Sequence, residues 1–191
     1  IENDNAVTDT ATVIAVTSPV DGTAGNDSML LNYTDADGNQ IQQADGIDDV
    51  IFGYGGNDKI FAGSGDDEIF GGSGNDFIRA HEGDDLINGG DGNDVLDGGE
   101  GHDQMIGGDG NDLYYVHQVA DTVSEDGTTG TDKVISSLDF TRADDFENLT
   151  LAMGSAATDG TGNDVRNYVI GNENDNLLKG LGGNDYILAG L

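Results

Sequence analysis

The chain has no cysteine and no tryptophan, and its single proline is Pro19. Disulfides are therefore excluded, as is any zinc site built on thiolates. Cations are almost as scarce: 6 lysines and arginines stand against 38 aspartates and glutamates, a formal net charge of −32. A field of that sign excludes nucleic-acid binding by phosphate neutralisation. It also opposes an anionic membrane surface, except through a bridging divalent cation. Nowhere do about twenty apolar residues run together, so no membrane span is expected. Ile1 is neither an initiator methionine nor the start of a signal peptide, which predicts a fragment or a processed piece.

What the chain has in excess is glycine, 32 of 191 residues, and its placement is periodic. From Gly53 to Tyr115 a nine-residue unit recurs seven times without a slip. Its fourth place is always glycine: Gly56, Gly65, Gly74, Gly83, Gly92, Gly101 and Gly110. Its sixth place is always aspartate: Asp58, Asp67, Asp76, Asp85, Asp94, Asp103 and Asp112. Its eighth place is apolar: Ile60, Ile69, Ile78, Ile87, Leu96, Met105 and Tyr114. Repeated glycine supplies positive φ angles and close backbone approach, so the first six places of each unit read as a turn. The last three, with the apolar residue central, read as a short strand that points one side chain inward. Two units then close a coil of eighteen residues, and coils stack as parallel strands about 4.8 Å apart. Polar low-complexity disorder would not hold an apolar residue at a constant phase.

The unit resembles the GGxGxDxUx nonapeptide of the RTX (repeats-in-toxin) family, the haemolysin-type calcium-binding repeat. Ala62, Ala80, Tyr54, His81 and His102 are mild departures. A poorer unit spans 44–52, with Ile47 at the glycine place ahead of Asp49 and Ile51. A good separate unit runs from Gly22 to Leu30 around Asp27, and another from Gly180 to Leu188 around Asp185. Units Gly162–Ile170 and Gly171–Lys179 precede the latter, with Asn167 and Asn176 in place of aspartate. The resemblance implies an all-β fold, a right-handed parallel β-roll with calcium between its turns.

It also implies how the ions are held. Each would lie between one turn and the turn a coil later on the same edge. The earlier turn supplies carbonyls of places two and four and its aspartate; the later, carbonyls of places one and three and its own aspartate. One ion would take Tyr54, Gly56 and Asp58 with Gly71, Ser73 and Asp76. The next two on that edge would take Gly72, Gly74 and Asp76 with Gly89, Asp91 and Asp94, then Gly90, Gly92 and Asp94 with Gly107, Asp109 and Asp112. On the other edge, Gly63, Gly65 and Asp67 would meet Ala80, Glu82 and Asp85. His81, Gly83 and Asp85 would meet Gly98, Glu100 and Asp103. Asp49 would share a further ion with Asp67, giving about six ions, with Asp27 and Asp185 as candidates in the flanks. So many hard oxygen ligands suit Ca²⁺ better than the smaller, octahedral Mg²⁺.

Two stacked carboxylates about 5 Å apart repel by roughly 3 kcal/mol at an effective dielectric near 20. Several such pairs outweigh the roughly 5–15 kcal/mol net stability of a domain. The metal-free roll is therefore expected not to form, and calcium binding becomes folding energy. Nearest-neighbour stacking makes the transition cooperative. Extracellular modules bind calcium at about 10⁻⁴–10⁻³ M, far above cytosolic levels, so the chain would fold only outside the cell. The resemblance implies export by type I secretion machinery, with which the lack of cysteine agrees, and an extracellular location.

Four stretches are expected: a flank at 1–21, the main roll at 22–115, a β-rich intervening segment at 116–159 and a second short roll at 160–191. The flank holds one strand, Ala11–Thr17. An enlarged turn at 31–43 holds Asp35, Asp37 and Asn39, a run that lacks the glycine and glutamate of an EF-hand loop. Strand signals recur at Lys133–Ser137 and Asn148–Leu151, and Asp121–Val123 and Glu147–Leu151 resemble a segment found between RTX arrays. Outward places are apolar at the start of the array (Val50, Phe52, Phe61, Phe70) and at its end (Ile106, Leu113, Tyr115), which predicts cover by the flanks or by a partner chain.

No metalloprotease HExxH, nucleophile elbow or Walker loop is present. His81, His102 and His117 read as surface residues without partners spaced for zinc. Asp48/Asp49 and Asp66/Asp67 mimic a glycosidase dyad, but the repeat assigns the second of each pair to calcium. The expected function is a non-catalytic calcium-binding module. The alternatives are a calcium-dependent structural protein that assembles with itself or another surface protein, and the C-terminal module of a secreted hydrolase or epimerase.

Overall fold

The structure is a computed structural model describing residues 19–30, 33–36, 41, 46–126, 129–141 and 146–190. The expected strand Ala11–Thr17, and Asp37 and Asn39 of the enlarged turn, lie outside the described residues. Every described regular element is a strand. In chain order these are β1 (Val20–Asp21), β2 (Ser28–Met29), β3 (Val50–Phe52), β4 (Lys59–Ser64), β5 (Glu68–Ser73), β6 (Phe77–Glu82), β7 (Leu86–Asp91), β8 (Val95–Glu100) and β9 (Gln104–Asp109). There follow β10 (Leu113–Val116), β11 (Thr122–Ser124), β12 (Lys133–Ser136), β13 (Phe140–Thr141), β14 (Asn148–Leu151), β15 (Asp159–Thr161), β16 (Tyr168–Ile170), β17 (Leu177–Lys179) and β18 (Tyr186–Leu188).

Successive strands go to alternate sheets, as a repeat of two units per coil requires. One sheet runs β1-β3-β5-β7-β9-β11 and the facing one β2-β4-β6-β8-β10-β12-β14-β16-β18, with β13-β15-β17 as a third. All pairs are parallel, and the register joins equivalent places one coil apart. Ile51 pairs with Ile69, Ile69 with Ile87 and Ile87 with Met105. Across the roll Met29, Ile60, Ile78, Leu96 and Tyr114 form the facing file, which Val134, Leu149 and Val169 continue. From Met29 to Val169 the inward side chains of these files are almost wholly excluded from water and make the narrow core between the sheets, whereas Leu178 is half-buried and Ile187 exposed at the end of the stack. Ile41, on the far side of the enlarged turn, also joins that core. The chain is a β-solenoid of the β-roll kind.

The strands are longer than the glycine content predicts. β4 to β9 each run six residues and absorb places one to three of the following unit. Gly72 pairs with Gly90 and Ser73 with Asp91 in full ladder register. The turn proper is only the Gly-x-Asp of places four to six. Its glycine is obligatory for a reason the coil spacing creates. At Gly74 φ is +124°, and a methyl group there would collide with the Gly56 carbonyl of the previous coil.

The outward aromatic residues at the start of the array cover one another. Phe52 stacks on Phe70 at 5.0 Å and on Tyr54 at 5.7 Å between ring centroids. Phe61 leans on Phe77 at 6.0 Å, and the Lys59 ammonium lies 4.8 Å above the Phe61 ring. Such cross-strand ring pairs bury part of each apolar face; the flank expected to cover it lies, from 1 to 18, outside the described residues.

Truncating a core rung should be costly everywhere along the stack. Ile78→Ala is expected to lower the stability of the calcium-loaded chain by about 2–5 kcal/mol in thermal or denaturant unfolding. Gly25→Ala, at a glycine with ordinary φ and room for a methyl group, serves as the near-neutral comparison.

Candidate metal centre

The sixth-place aspartates form two files, one along each edge of the roll, and their geometry follows from the coil spacing. Each Oδ1 reaches one coil back and accepts the backbone N–H of the preceding aspartate in its file. On one edge the Asp49 N–H donates to Asp67, Asp67 to Asp85 and Asp85 to Asp103, at 2.8, 2.8 and 3.1 Å. On the other, Asp27 donates to Asp58, Asp58 to Asp76, Asp76 to Asp94 and Asp94 to Asp112, at 2.7–2.8 Å. A carboxylate thus bonds to the turn next door rather than to its own, which ties every coil to its neighbour.

The second oxygen has no such partner. Among the described residues, Oδ2 of Asp58, Asp67, Asp76, Asp85, Asp94, Asp103 and Asp112 is buried without a hydrogen-bond donor. All seven residues are at most 2% exposed. A buried carboxylate oxygen left unpaired is strongly unfavourable when ionised. Burial accordingly pushes Asp67, Asp85 and Asp94 up to about 7, and Asp76 and Asp103 up to about 6, from 3.8. Asp58 and Asp112 are raised by the same cause. In each case the neighbouring N–H pulls the other way but loses to desolvation. Seven orphan oxygens in two files fit hard divalent cations, which would supply the missing charge.

The carbonyls singled out by the repeat lie on the same edges. At place three, Ser73, Glu82, Asp91, Glu100 and Asp109 each accept a backbone N–H from place four one coil earlier, at 2.7–3.0 Å. A carbonyl has a second lone pair, so this bond leaves each able to accept once more. Tyr54 O accepts the Ser73 N–H in the same manner. At place one, carbonyl and carboxylate converge: a methyl group on Gly71 would clash with both Asp76 Oδ2 and the Gly89 carbonyl, and one on Gly53 with Asp58 Oδ2 and the Gly71 carbonyl. Ala80, at that place in its own unit, is wholly buried. Gly56, Gly65, Gly74 and Gly83 at place four turn their carbonyls against the glycine one coil on. Gly63, Gly72 and Gly90 at place two have the positive φ that His81 and Tyr54 share at φ 93° and 69°. Farther along, Gly92 holds place four of its unit, and Gly98 and Gly107 hold place one within β8 and β9.

A family model for the RTX calcium-binding nonapeptide repeat matches residues 44–78, 79–114 and 160–191, more than half of the chain. The chain belongs to that family. No curated protein and no solved structure matches it.

Not every predicted residue of this RTX chain is equally placed for an ion. Asp27 is half-exposed, and Thr23 donates to its Oδ2 from both its N–H (2.7 Å) and its hydroxyl (2.9 Å). Asp185 is half-exposed and accepts from the Asn167 N–H at 3.1 Å. Asn167, one coil before it, is buried but satisfied: its amide exchanges hydrogen bonds with Asn163 at 2.7 and 2.8 Å. An amide brings its own donor and no charge, so that rung needs no cation. Asp35 is buried and accepts the Asp21 N–H at 3.3 Å.

The files extend beyond the nonapeptides. Asp103 donates to Asp121 at 3.4 Å, Asp112 to Asp132 at 2.8 Å, and Asp132 to Glu147 at 2.9 Å. Gly130-Thr131-Asp132-Lys133-Val134 keeps the Gly-x-Asp-x-apolar order, a signal that a strict nine-residue register passes over. Place five carries a second ladder pointing the opposite way. Asn57 N–H donates to Asn26, Asn75 to Asn57, Asn93 to Asn75 and Asn111 to Asn93, at 2.7–2.8 Å. On the other edge Asp66 donates to Asp48, Asp84 to Asp66 and His102 to Asp84 at 2.9 Å. The first acid of each pair is therefore solvated yet structural.

His102 is the surface residue expected. His81 is not: its Nε2 is buried, its ring meets Phe61 edge-on at 5.5 Å, and burial lowers its pKa. His117 lies 3.2 Å from Asp97, which Arg79 also engages at 3.3 Å, so these three brace one outer face. Among the described residues no helix is long and apolar enough to cross a membrane.

The raised aspartates fix the sign of the pH response. Without metal, the rolled state holds protons up to about 6–7, whereas unfolded aspartates release them near 4. The metal-free roll is thus favoured below about 4 and loses stability as pH rises through about 7. In excess chelator, circular dichroism is expected to gain β signal as pH falls from about 7 to about 4. With calcium present, acidification across the same window is expected to release the metal, read with a calcium electrode. A metal-free spectrum flat across that range would contradict the assignment.

Proposed function

We propose that this chain is a non-catalytic calcium-binding RTX module of a secreted bacterial protein, unfolded without calcium and rolled in the extracellular medium. The observation that carries it is the double file of seven buried carboxylates, each with one oxygen lacking any donor. Calcium would be held by consecutive rungs: Asp58 with Asp76, Asp76 with Asp94 and Asp94 with Asp112 on one edge; Asp49 with Asp67, Asp67 with Asp85 and Asp85 with Asp103 on the other. Turn carbonyls, among them those of Gly71, Ser73, Gly89 and Asp91, complete each shell. That makes about six ions in the main roll, 22–115, while the amide rungs Asn167 and Asn176 leave the segment 160–191 with fewer. When bound, the ion supplies charge that cancels the repulsion between rungs. The protein's part is to hold carboxylates and carbonyls at a fixed coil spacing. Cytosolic calcium lies far below the roughly 10⁻⁴–10⁻³ M at which extracellular modules bind, so passage through a type I secretion channel as an unfolded chain follows.

Circular dichroism against calcium tests the reading. A coil spectrum in chelator is expected to convert cooperatively to a β spectrum at about 10⁻⁴–10⁻³ M calcium. A chain equally folded in excess chelator would refute it. Ion counting by native mass spectrometry tests the assignment of rungs. Asp85→Asn, which removes a rung shared by two sites, should lose about two ions, and Asp49→Asn, at the end of its file, about one.

A further inference from the structure

At the end of the array, where the nine-residue unit stops, the second file meets a carboxylate outside the repeat. Ligand oxygens of Asp112, Glu125 and Asp132 lie within 4.8 Å of one another. Asp112 is 2% exposed and its Oδ2 has no hydrogen-bond donor. That oxygen faces the cluster. A methyl group on Gly107 would clash with both Asp112 Oδ2 and the Tyr114 hydroxyl, which is itself hydrogen-bonded to Glu125 Oε1. Glu125 is anchored on both sides, since its Oε2 accepts the Gly108 N–H at 3.1 Å. Tyr114 stands at the eighth place, where other units carry Ile, Leu or Met. Its ring spans the core from β10 to the end of β11, where the hydroxyl lies 3.2 Å from the Ser124 carbonyl. Asp132 keeps the rung spacing through the Asp112 N–H, although this coil is 20 residues rather than 18.

We propose that Asp112, Glu125 and Asp132 form a further calcium site, closing the second file with three carboxylates where the array's sites have two. The proposal rests on the calcium reading of the array. Three acids, two of them buried and one half-buried, with oxygens within 4.8 Å of one another, cannot all be ionised at low cost without a cation between them. The clustered side-chain ligands are all carboxylate oxygens, a donor set that selects a hard divalent ion. Glu125 does here what a turn does elsewhere, bringing the charge on a longer side chain because the enlarged coil departs from the nonapeptide. Tyr114 donates to that carboxylate and keeps it aimed at the site, a positioning role that isoleucine or leucine could not perform. With its added charge, this site outranks the two-carboxylate sites in affinity and fills first. Rolling then starts at this end of the array.

Native mass spectrometry of the full chain through a calcium titration decides it. Glu125→Gln is expected to hold one ion fewer than the wild type at saturating calcium, and the missing ion is the first to load. An unchanged count with an unchanged first midpoint overturns this site alone. A wild type that takes up no calcium overturns the array and this site together. Circular dichroism in saturating calcium reports whether Glu125→Gln still rolls. Should it not, Tyr114→Phe provides an independent test with terbium as the probe. Tyrosine-sensitised luminescence at one equivalent of terbium is expected to lose most of its intensity in Tyr114→Phe, and an unchanged signal overturns the site.

Discussion

Everything in this fold depends on burying carboxylate oxygens that the protein itself does not satisfy. One oxygen of each rung is spent on the backbone of the preceding coil, and the other is left without a donor among the described residues. Ionised carboxylates stacked in so water-poor a file repel one another and oppose the hydrophobic contact that closes the core. The apolar file between the sheets is one residue wide from coil to coil. It sets register and dryness along the stack.

The same arrangement makes the module one-dimensional. Each coil touches only the coil before and the coil after, through ladder hydrogen bonds, the aspartate rungs and the outward place-five ladder. Energy therefore adds rung by rung, and a change in one rung stays local. At the Asn167 rung the amide donates and accepts within its own turn and brings no charge, whereas Asn176 donates to Asn172 but leaves its own Oδ1 buried without a partner among the described residues.

Much of this could be read from the residues, because the phase of three residue types is enough to define a coil. The eighth-place file, the alternation of sheets and the burial of the sixth-place aspartates all follow from spacing. What spacing hides is backbone behaviour. Gly71, Gly72 and Ser73 look like turn residues, yet neighbouring coils on either side pair them into a ladder that no single unit could sustain. Asp121 keeps the 18-residue spacing from Asp103 but has Val119 where the unit's glycine belongs, and Asp132 escapes a strict register because its coil from Asp112 runs 20 residues, while hydrogen bonding keeps both rungs in their files. Glu125 itself has no pattern to announce it. Only the fold brings it beside Asp112, and only the tyrosine at the core place, Tyr114, hints that something polar lies across the roll. His81 misleads for a similar reason: a variable turn place is exposed in one unit but sheltered by Phe61 in this one.

The central claim is that divalent metal sits against the orphan Oδ2 atoms. Anomalous diffraction from crystals grown in calcium tests it most directly. The account predicts calcium peaks beside Oδ2 of Asp58, Asp67, Asp76, Asp85, Asp94, Asp103 and Asp112, shared between successive rungs. A folded roll whose gaps hold only water, or carboxyl groups paired through a proton, would contradict it.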